Sequence, residues 1–161
     1  MSHNPVSIET PNPEEIVVST WFDAQPSAVF DALTRPDLLA RWIGTNRSPV
    51  LACESEARVG GSIRYLWEDP AGGEFGLSGV WLTLDRPGRL VRTEIWDDDW
   101  TLGEAIVTTL IDPEDGGARV RIRMRYASEE ARDTVLASPM IDGMEEGFER
   151  LARILSAPAA T

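Results

Sequence analysis

The sequence has no lysine, one cysteine and one histidine, and all fifteen of its basic residues are arginine. Without lysine, the chain can form neither a Schiff base nor the lysine contact of a P-loop phosphate site. Cys53 alone excludes an internal disulfide and a zinc site built from several thiolates, and it favours a reducing compartment. His3 lies in a polar segment predicted to be mobile, which excludes an oriented imidazole. We therefore expect no metal site and no cofactor.

The chain also lacks a long apolar run and an excess of positive charge. Its N-terminal residues are polar and interrupted by proline, which predicts neither a signal-peptide core nor a membrane span. Its 27 acidic and 15 basic residues give a net charge of −12, which repels phosphate backbones and anionic membranes. These features predict a cytoplasmic monomer or homodimer that binds no nucleic acid and does not insert into membranes.

The length of 161 residues corresponds to one domain. Residues 14–23 are rich in β-branched and aromatic side chains and predict a first strand. Pro26 and Pro36 are each suited to the first position of a helix, so two short helices are expected, the second ending at Gly44. We predict a flexible tail at 1–13, a domain at 14–155 and a second flexible tail at 156–161.

From about residue 48 to 126, short β-rich segments alternate with turns rich in glycine, proline and aspartate, which predicts an antiparallel meander. The last segment is the clearest, because Val120, Ile122, Met124 and Tyr126 alternate with four arginines. One face of that strand should be buried and the other exposed. The six strands are expected at 49–57, 62–69, 74–84, 89–97, 101–111 and 118–126.

A C-terminal helix is predicted after Ser128, which is suited to an N-cap, with a bend at Ser138 and Pro139. Beyond the bend, apolar residues recur every three or four positions and form one stripe. The stripe consists of Ile141, Met144, Phe148, Leu151 and Leu155. Since this helix is the only large element able to cover the apolar face of the sheet, we expect a cavity between the two.

Four segments carry a family resemblance. They are IVVSTWFDAQPSAVFDALTRPDLLARWIG (16–44), GGSIRYLW (60–67), the G-V-W strand start with DRPGRLVRTEIW (79–96), and GMEEGFERLARIL (143–155). In order and spacing they resemble the START-like (birch-pollen-allergen-like, SRPBCC) superfamily. Within it they are similar to the branch related to the activator of the heat shock protein 90 ATPase.

This resemblance implies a fold and a range of functions. The fold would be an α+β helix-grip fold, with a curved seven-stranded antiparallel sheet around a long C-terminal helix and two short helices after the first strand. Family members bind lipids, sterols, polyketides or other hydrophobic molecules, a few catalyse cyclisation or dehydration, and some contact the chaperone. The family has no shared catalytic motif, so the function has to be argued from the site.

Aromatic residues are concentrated in the predicted meander, which contains four of the six tryptophans. Aromatic walls suit flat, amphipathic ligands, although the same rings could simply fill the core. Gly143 and Gly147 lie one turn apart on the last helix, where a ligand, a sheet tryptophan or tight packing would occupy the notch. The predicted ligand-binding residues are Trp42, Tyr65, Trp67, Trp81, Trp96, Tyr126, Met144 and Phe148.

Two glutamates, Glu94 and Glu104, are candidates for acid–base catalysis. Glu94 shares a strand face with Arg92 and Trp96, and burial of that face would raise the pKa of the glutamate. The alternative is an exposed cross-strand ion pair on the convex face of the sheet. The three aspartates at 97–99 are interpreted as a solvated turn, because the spacing of an EF-hand calcium loop is absent.

Three functions are consistent with these observations. The first, which we favour, is binding of a hydrophobic or amphipathic small molecule in the cavity, without catalysis. The second is a chaperone-interaction module that regulates a heat-shock ATPase, whose docking would be sensitive to salt at this net charge. The third is an enzyme of the cyclase or dehydratase type that uses Glu94 or Glu104 with an arginine or a tyrosine.

Overall fold

The computed structural model describes residues 6–156 and contains one antiparallel sheet and four helices. The elements, in chain order, are β1 Ser7–Glu9, β2 Glu15–Phe22, α1 Pro26–Thr34, α2 Pro36–Leu39, β3 Val50–Ser55, β4 Ser62–Glu68, β5 Glu74–Asp85, β6 Arg89–Trp96, β7 Ala105–Glu114, β8 Gly117–Arg125, α3 Glu129–Leu136 and α4 Met140–Ser156. The predicted α+β helix-grip architecture is confirmed.

The sheet is a meander that is extended at its β8 end by the early strand β2. Its strand order is β1-β2-β8-β7-β6-β5-β4-β3, so each strand from β3 to β8 pairs with its neighbour in sequence. β2 instead pairs with β8, from Glu15 opposite Arg125 to Phe22 opposite Ala118. The six predicted meander strands are all present, with ends shifted by a few residues.

The sheet has eight strands rather than the predicted seven. The additional strand, β1, lies in the segment predicted as a flexible tail and pairs with β2 from Ser7 opposite Ser19 to Glu9 opposite Val17. Because β8 occupies only one side of β2, the other side offers unpaired backbone groups that β1 satisfies. His3 lies outside the described residues. Ser156, predicted to begin the second tail, is the last residue of α4.

Two further boundaries differ from the prediction. The second helix spans only four residues, Pro36–Leu39, and continues as a turn toward Gly44. The connection between the predicted strands 101–111 and 118–126 is shorter than expected, because pairing of β7 with β8 runs as far as Glu114 opposite Gly117. Asp115 and Gly116, with φ values of 49° and 79°, form a two-residue connection whose twist matches that of the flanking strands.

The core lies between the inner face of the sheet and the helices. Val120, Ile122 and Met124 of β8 are buried and the arginines between them are exposed or half-buried, as predicted. Ile141, Phe148 and Leu151 of the α4 stripe are buried against the same core. Ser128 caps α3, since its hydroxyl accepts a hydrogen bond from the Ala131 backbone N–H at 3.0 Å.

The two glycines of α4 have different surroundings and give a matched test of the packing. A methyl group on Gly143 would have no neighbour within 4 Å among the described residues, whereas one on Gly147 would lie 3.1 Å from the Trp42 carbonyl oxygen. We expect Gly143→Ala to raise the free energy of unfolding by up to about 1 kcal/mol through helix propensity, and Gly147→Ala to gain less or to lose stability. Urea unfolding of both variants tests this, and equal gains would contradict it.

Candidate functional site

The inner face of β6 carries charged side chains into the core. Leu90, Arg92, Glu94 and Trp96 occupy alternate positions and share this face. The Arg92 Nη2 and Glu94 Oε1 atoms are 3.1 Å apart, and the two side chains are only 17% and 5% exposed. The alternative of an exposed cross-strand ion pair is therefore wrong: the Glu94 side chain is buried, the Arg92 side chain is half-buried, and both lie on one strand.

Small residues flank Glu94 on both neighbouring strands. Ala105 of β7 is its direct partner. On β5, Gly79 lies between the paired residues Ser78–Ile95 and Trp81–Arg92, which places it opposite Glu94. A side chain at Gly79 would overlap the Thr93 carbonyl oxygen, so glycine permits the close approach of β5 and β6 there. The two residues directly opposite Glu94 on the neighbouring strands therefore have no side chain larger than a methyl group.

Three buried polar atoms in this region have no hydrogen-bond partner within the described residues. They are Arg92 Nη1, Glu94 Oε2 and Trp96 Nε1, all on the inner face of β6. Buried polar groups in native proteins are nearly always paired with protein, water or ligand. This cluster is therefore the part of the core with unused hydrogen-bonding capacity.

The charges of the ion pair affect the pKa values of two nearby tyrosines. Burial raises the pKa of Tyr65 to about 12, against the opposing effect of Arg92. Burial also raises the pKa of Tyr126, and the negative charge of Glu94 adds to that shift. Tyr126 directs its hydroxyl toward Met124 Sδ at 3.6 Å. Both phenols therefore stay protonated and uncharged at neutral pH.

Four aromatic rings pack together at the end of the sheet where β6 ends. Trp67 stacks on Phe75 and Trp96 with centroid distances of 5.3 and 5.6 Å, and Trp96 contacts Trp100 at 5.7 Å. Trp67 is buried, whereas the other three rings are half-buried. We call these four residues the aromatic cluster. Trp96 belongs both to this cluster and to the set of unpartnered polar atoms on β6.

The other predicted tryptophans use their indole N–H groups within the fold. Trp42 donates to the Ala32 carbonyl at 2.8 Å, Trp67 to the Ile43 carbonyl at 3.0 Å, and Trp81 to Ser55 Oγ at 3.1 Å. Trp81 is only 1% exposed. These bonds are typical of residues that fix the core. Among the predicted ligand-binding tryptophans, Trp96 is the one with a buried indole N–H that the described residues do not satisfy.

The predicted residues on α4 lie near a separate small cleft. Phe148 contacts Phe22 and Trp42, with ring centroids at 6.1 and 6.3 Å, and Met144 packs half-buried against the core. A cleft of about 30 Å³ between β2 and α4 is lined by Thr20, Phe22 and Phe148 among others, and is large enough for one or two water molecules. The six predicted residues outside α4 do not line it.

The second catalytic candidate lies outside this region. Glu104 is exposed in the loop before β7, so the structure does not bring it together with Glu94. In the acidic turn, Asp97 forms a bidentate ion pair with Arg64 at 2.6 and 2.8 Å, which lowers the pKa of Asp97, and Asp99 accepts a hydrogen bond from the Gly103 N–H. Within residues 6–156, no three histidine, cysteine, aspartate or glutamate side chains are grouped as metal ligands.

Cys53 on β3 gives a test of burial beneath this part of the sheet. Burial, and secondarily the charge of Glu54, raises the pKa of its thiol from 9.0 to about 11. Because the thiolate is the reactive form, we expect a thiol reagent at about pH 8 to modify native Cys53 about 100-fold more slowly than the urea-unfolded chain. Equal rates would contradict this.

The same shift predicts a loss of stability at alkaline pH. The unfolded thiol ionises near 9.0, while the folded thiol keeps its proton up to about 11. Stability is therefore fully present below 9.0 and is lost as the pH rises toward 11. Cys53→Ala should lose less stability than the wild type between about pH 8 and pH 10, measured by urea unfolding.

Sequence reasoning identified part of this site and missed the rest. It placed Arg92, Glu94 and Trp96 on one strand face, but it did not determine which face is buried. It missed Gly79 and Ala105, whose small size matters only once their strands flank Glu94. A glycine within a β-rich segment was the available signal, since such a position often marks a close backbone approach.

The fold and this buried polar and aromatic region define a class of protein: a helix-grip domain, in which an open antiparallel sheet packs against a long C-terminal helix. A family model described as Activator of Hsp90 ATPase homolog 1-like protein matches residues 23–156. The chain therefore belongs to this family, a branch of the START-like superfamily, as the sequence resemblance predicted.

Solved structures of related proteins agree with this assignment. A protein from Rhodobacter sphaeroides is 35% identical, with a TM-score of 0.89 over 95% of this chain and 99% of that chain. One from Arthrobacter aurescens is 25% identical, with a TM-score of 0.82 over 95% and 92% of the two chains. An AHSA1-like protein from Aeromonas hydrophila, 19% identical, shares the fold with a TM-score of 0.69 over 91% and 99%. No curated protein matches the chain.

Among the described residues, none of the helices has both the length and the apolar character needed to span a membrane.

Proposed function

We propose that the protein binds a hydrophobic or amphipathic small molecule between the sheet and α4, with the polar end of the molecule at Arg92 and Glu94. The main support for this proposal is the set of three buried polar atoms on β6 that have no partner within the described residues. Leaving such a group unpaired costs about 1 to 3 kcal/mol, so a molecule that pairs with these atoms gains affinity by relieving that cost. The site therefore favours a ligand that combines an apolar body with a hydrogen-bonding end.

The aromatic cluster would receive the apolar body. Phe75, Trp96 and Trp100 are half-buried, so a ligand reaching the β6 atoms from solvent meets flat apolar rings first. The cleft of about 30 Å³ between β2 and α4 is too small for such a molecule. Binding thus requires the rings of the aromatic cluster, or α4, to move aside.

A thermal-shift screen of the full chain against pooled lipids, sterols, flavonoids and aromatic polyketides tests this proposal. A ligand at about 100 times its dissociation constant stabilises by about 2.7 kcal/mol, which should raise the melting midpoint by roughly 5 to 10 °C. Trp96→Phe keeps an aromatic ring and removes the free indole N–H, so it should reduce the shift. If no pool shifts the midpoint, the proposal is wrong. Recovery of a dehydrated or cyclised product would instead support the third function, an enzyme of the cyclase or dehydratase type.

Chaperone interaction is the second candidate function, favoured by the family description. The outer face of the sheet exposes Val80, Leu82 and Ile95 on neighbouring strands β5 and β6, which gives an apolar contact area. We propose that this area would contact a heat-shock chaperone. Leu82→Asp should abolish retention of the purified chaperone on the immobilised protein at low salt. Absence of retention by the wild type under the same conditions would contradict this candidate.

A further inference from the structure

The buried ion pair presents a donor and an acceptor side by side. Arg92 Nη2 contacts Glu94 Oε1 at 3.1 Å, and this single contact leaves the second nitrogen and the second oxygen of the two groups unpartnered within the described residues. The two opposite charges balance, so the pair offers hydrogen bonds without a net charge. Neither Tyr65 nor Tyr126 adds a charge at neutral pH, because both keep their protons.

Trp96 adds a third group to this pair. Its indole nitrogen can only donate, and it follows Glu94 on the same face of β6. The unused capacity of the site is therefore two donors, Arg92 Nη1 and Trp96 Nε1, and one acceptor, Glu94 Oε2. A complementary ligand group needs an oxygen with two lone pairs next to an N–H.

We propose, resting on the proposed binding function, that the polar end of the bound molecule is an uncharged carboxamide or lactam. Its carbonyl oxygen would accept from Arg92 Nη1 and Trp96 Nε1, and its N–H would donate to Glu94 Oε2. The site would thus select neutral amides over acids and amines that share the same apolar body.

The buried position of the pair gives the reason for this selectivity. A carboxylate ligand would add a second negative charge beside Glu94, and an ammonium ligand would add a second positive charge beside Arg92. Either one leaves an uncompensated charge in a region where the Glu94 side chain is only 5% exposed. Burial of an unbalanced charge is strongly unfavourable, whereas a neutral amide keeps the site balanced.

Four probes with one apolar body test the selectivity: 2-naphthamide, 2-naphthoate, naphthalen-2-ylmethylammonium and 2-methylnaphthalene. Their dissociation constants are measured by quenching of tryptophan fluorescence in the full chain near neutral pH. We expect the amide to bind at least about ten-fold more tightly than each of the other three. Naphthoate or the ammonium binding as tightly as the amide would overturn the inference and leave the proposed binding function standing. Binding of 2-methylnaphthalene as tight as that of the amide would also overturn the inference and leave the proposed binding function standing. Failure of all four to bind would contradict both.

A matched variant should change the preference in a defined direction. Glu94→Gln keeps the size of the side chain and removes its charge, so Arg92 is left with an unbalanced positive charge. Naphthoate should then gain at least about ten-fold in affinity relative to naphthamide, and an unchanged ratio would overturn the inference.

Should this variant fail to fold, Trp96→Phe gives the second test. It should weaken naphthamide about five-fold more than it weakens 2-methylnaphthalene, because only the amide also loses a hydrogen bond. Equal weakening of both probes would contradict the role of the indole N–H.

Discussion

Replacing Glu94 with alanine is expected to lower the free energy of unfolding by about 3 to 5 kcal/mol. The carboxylate is the ion-pair partner of Arg92 at 3.1 Å, and the Arg92 side chain is only 17% exposed. Without Glu94, the guanidinium stays in the core with no charge to balance it. For a chain of this length, the loss corresponds to a melting midpoint lower by roughly 6 to 20 °C, and urea unfolding measures it directly.

The double variant Arg92→Met, Glu94→Leu distinguishes the contribution of the ion pair to stability from the contribution of packing. Buried ion pairs contribute little net stability when apolar side chains of similar volume replace both partners. We therefore expect the double variant to be within about 1 kcal/mol of the wild type, well above Glu94→Ala. A double variant as unstable as the single one would show that the loss comes from packing. A single variant of wild-type stability would contradict the burial of the pair.

Gly79→Ala is expected to destabilise the protein by about 3 kcal/mol, at the upper end of the cost of overpacking. The added methyl group would overlap the Thr93 carbonyl oxygen, which is part of the backbone of β6 and cannot rotate away. β5 and β6 would have to separate next to Glu94. The backbone of Gly79 is outside the left-handed region, so the expected effect is purely steric.

Gly88→Ala is the matched control for this variant, because Gly88 lies in the connection between the same two strands. A methyl group there would meet only the Ile111 carbonyl oxygen, at an ordinary distance of 3.6 Å. We expect a change within about 0.5 kcal/mol by urea unfolding. Similar losses for both variants would contradict a close approach specific to Gly79.

The sequence was sufficient to predict the elements where local pattern and burial agree. β8 alternates apolar residues with arginines, and the α4 stripe repeats every three or four residues, so each buried face follows from the pattern. Ser128 was identified as an N-cap for the same local reason, since its hydroxyl bonds a backbone N–H three residues later. The family resemblance came instead from the order and spacing of the four segments at 16–44, 60–67, 79–96 and 143–155.

The inner face of β6 could not be predicted, because its pattern points the other way. Val91, Thr93 and Ile95 form the β-branched set that periodicity would place in the core, yet of these three only Val91 is buried, and Ile95 is 42% exposed. The buried set includes Arg92 and Glu94, which neutralise each other only after folding. The burial of a charged pair depends on both partners and on the strands beside them. The hydropathy of single residues contains no information about such neighbours.

β1 was missed for a different reason. Its three residues pair only with β2, and no turn signal of a tight hairpin joins the two strands. Pairing of so short a segment depends on an ordered neighbouring strand. β2 provides it only when β2 is itself paired with β8 in the sheet. The strand is therefore a property of the assembled sheet.

The two outer strands of the sheet also bear on the behaviour of the protein at high concentration. One edge is β1, with three residues, and the other is β3, whose pairing with β4 is interrupted by an irregularity between Val50 and Ala52. Aggregation through strand addition needs a long, flat row of free backbone groups. A short edge and a kinked edge both deny that template, so fibril growth by edge-to-edge stacking of native molecules is disfavoured.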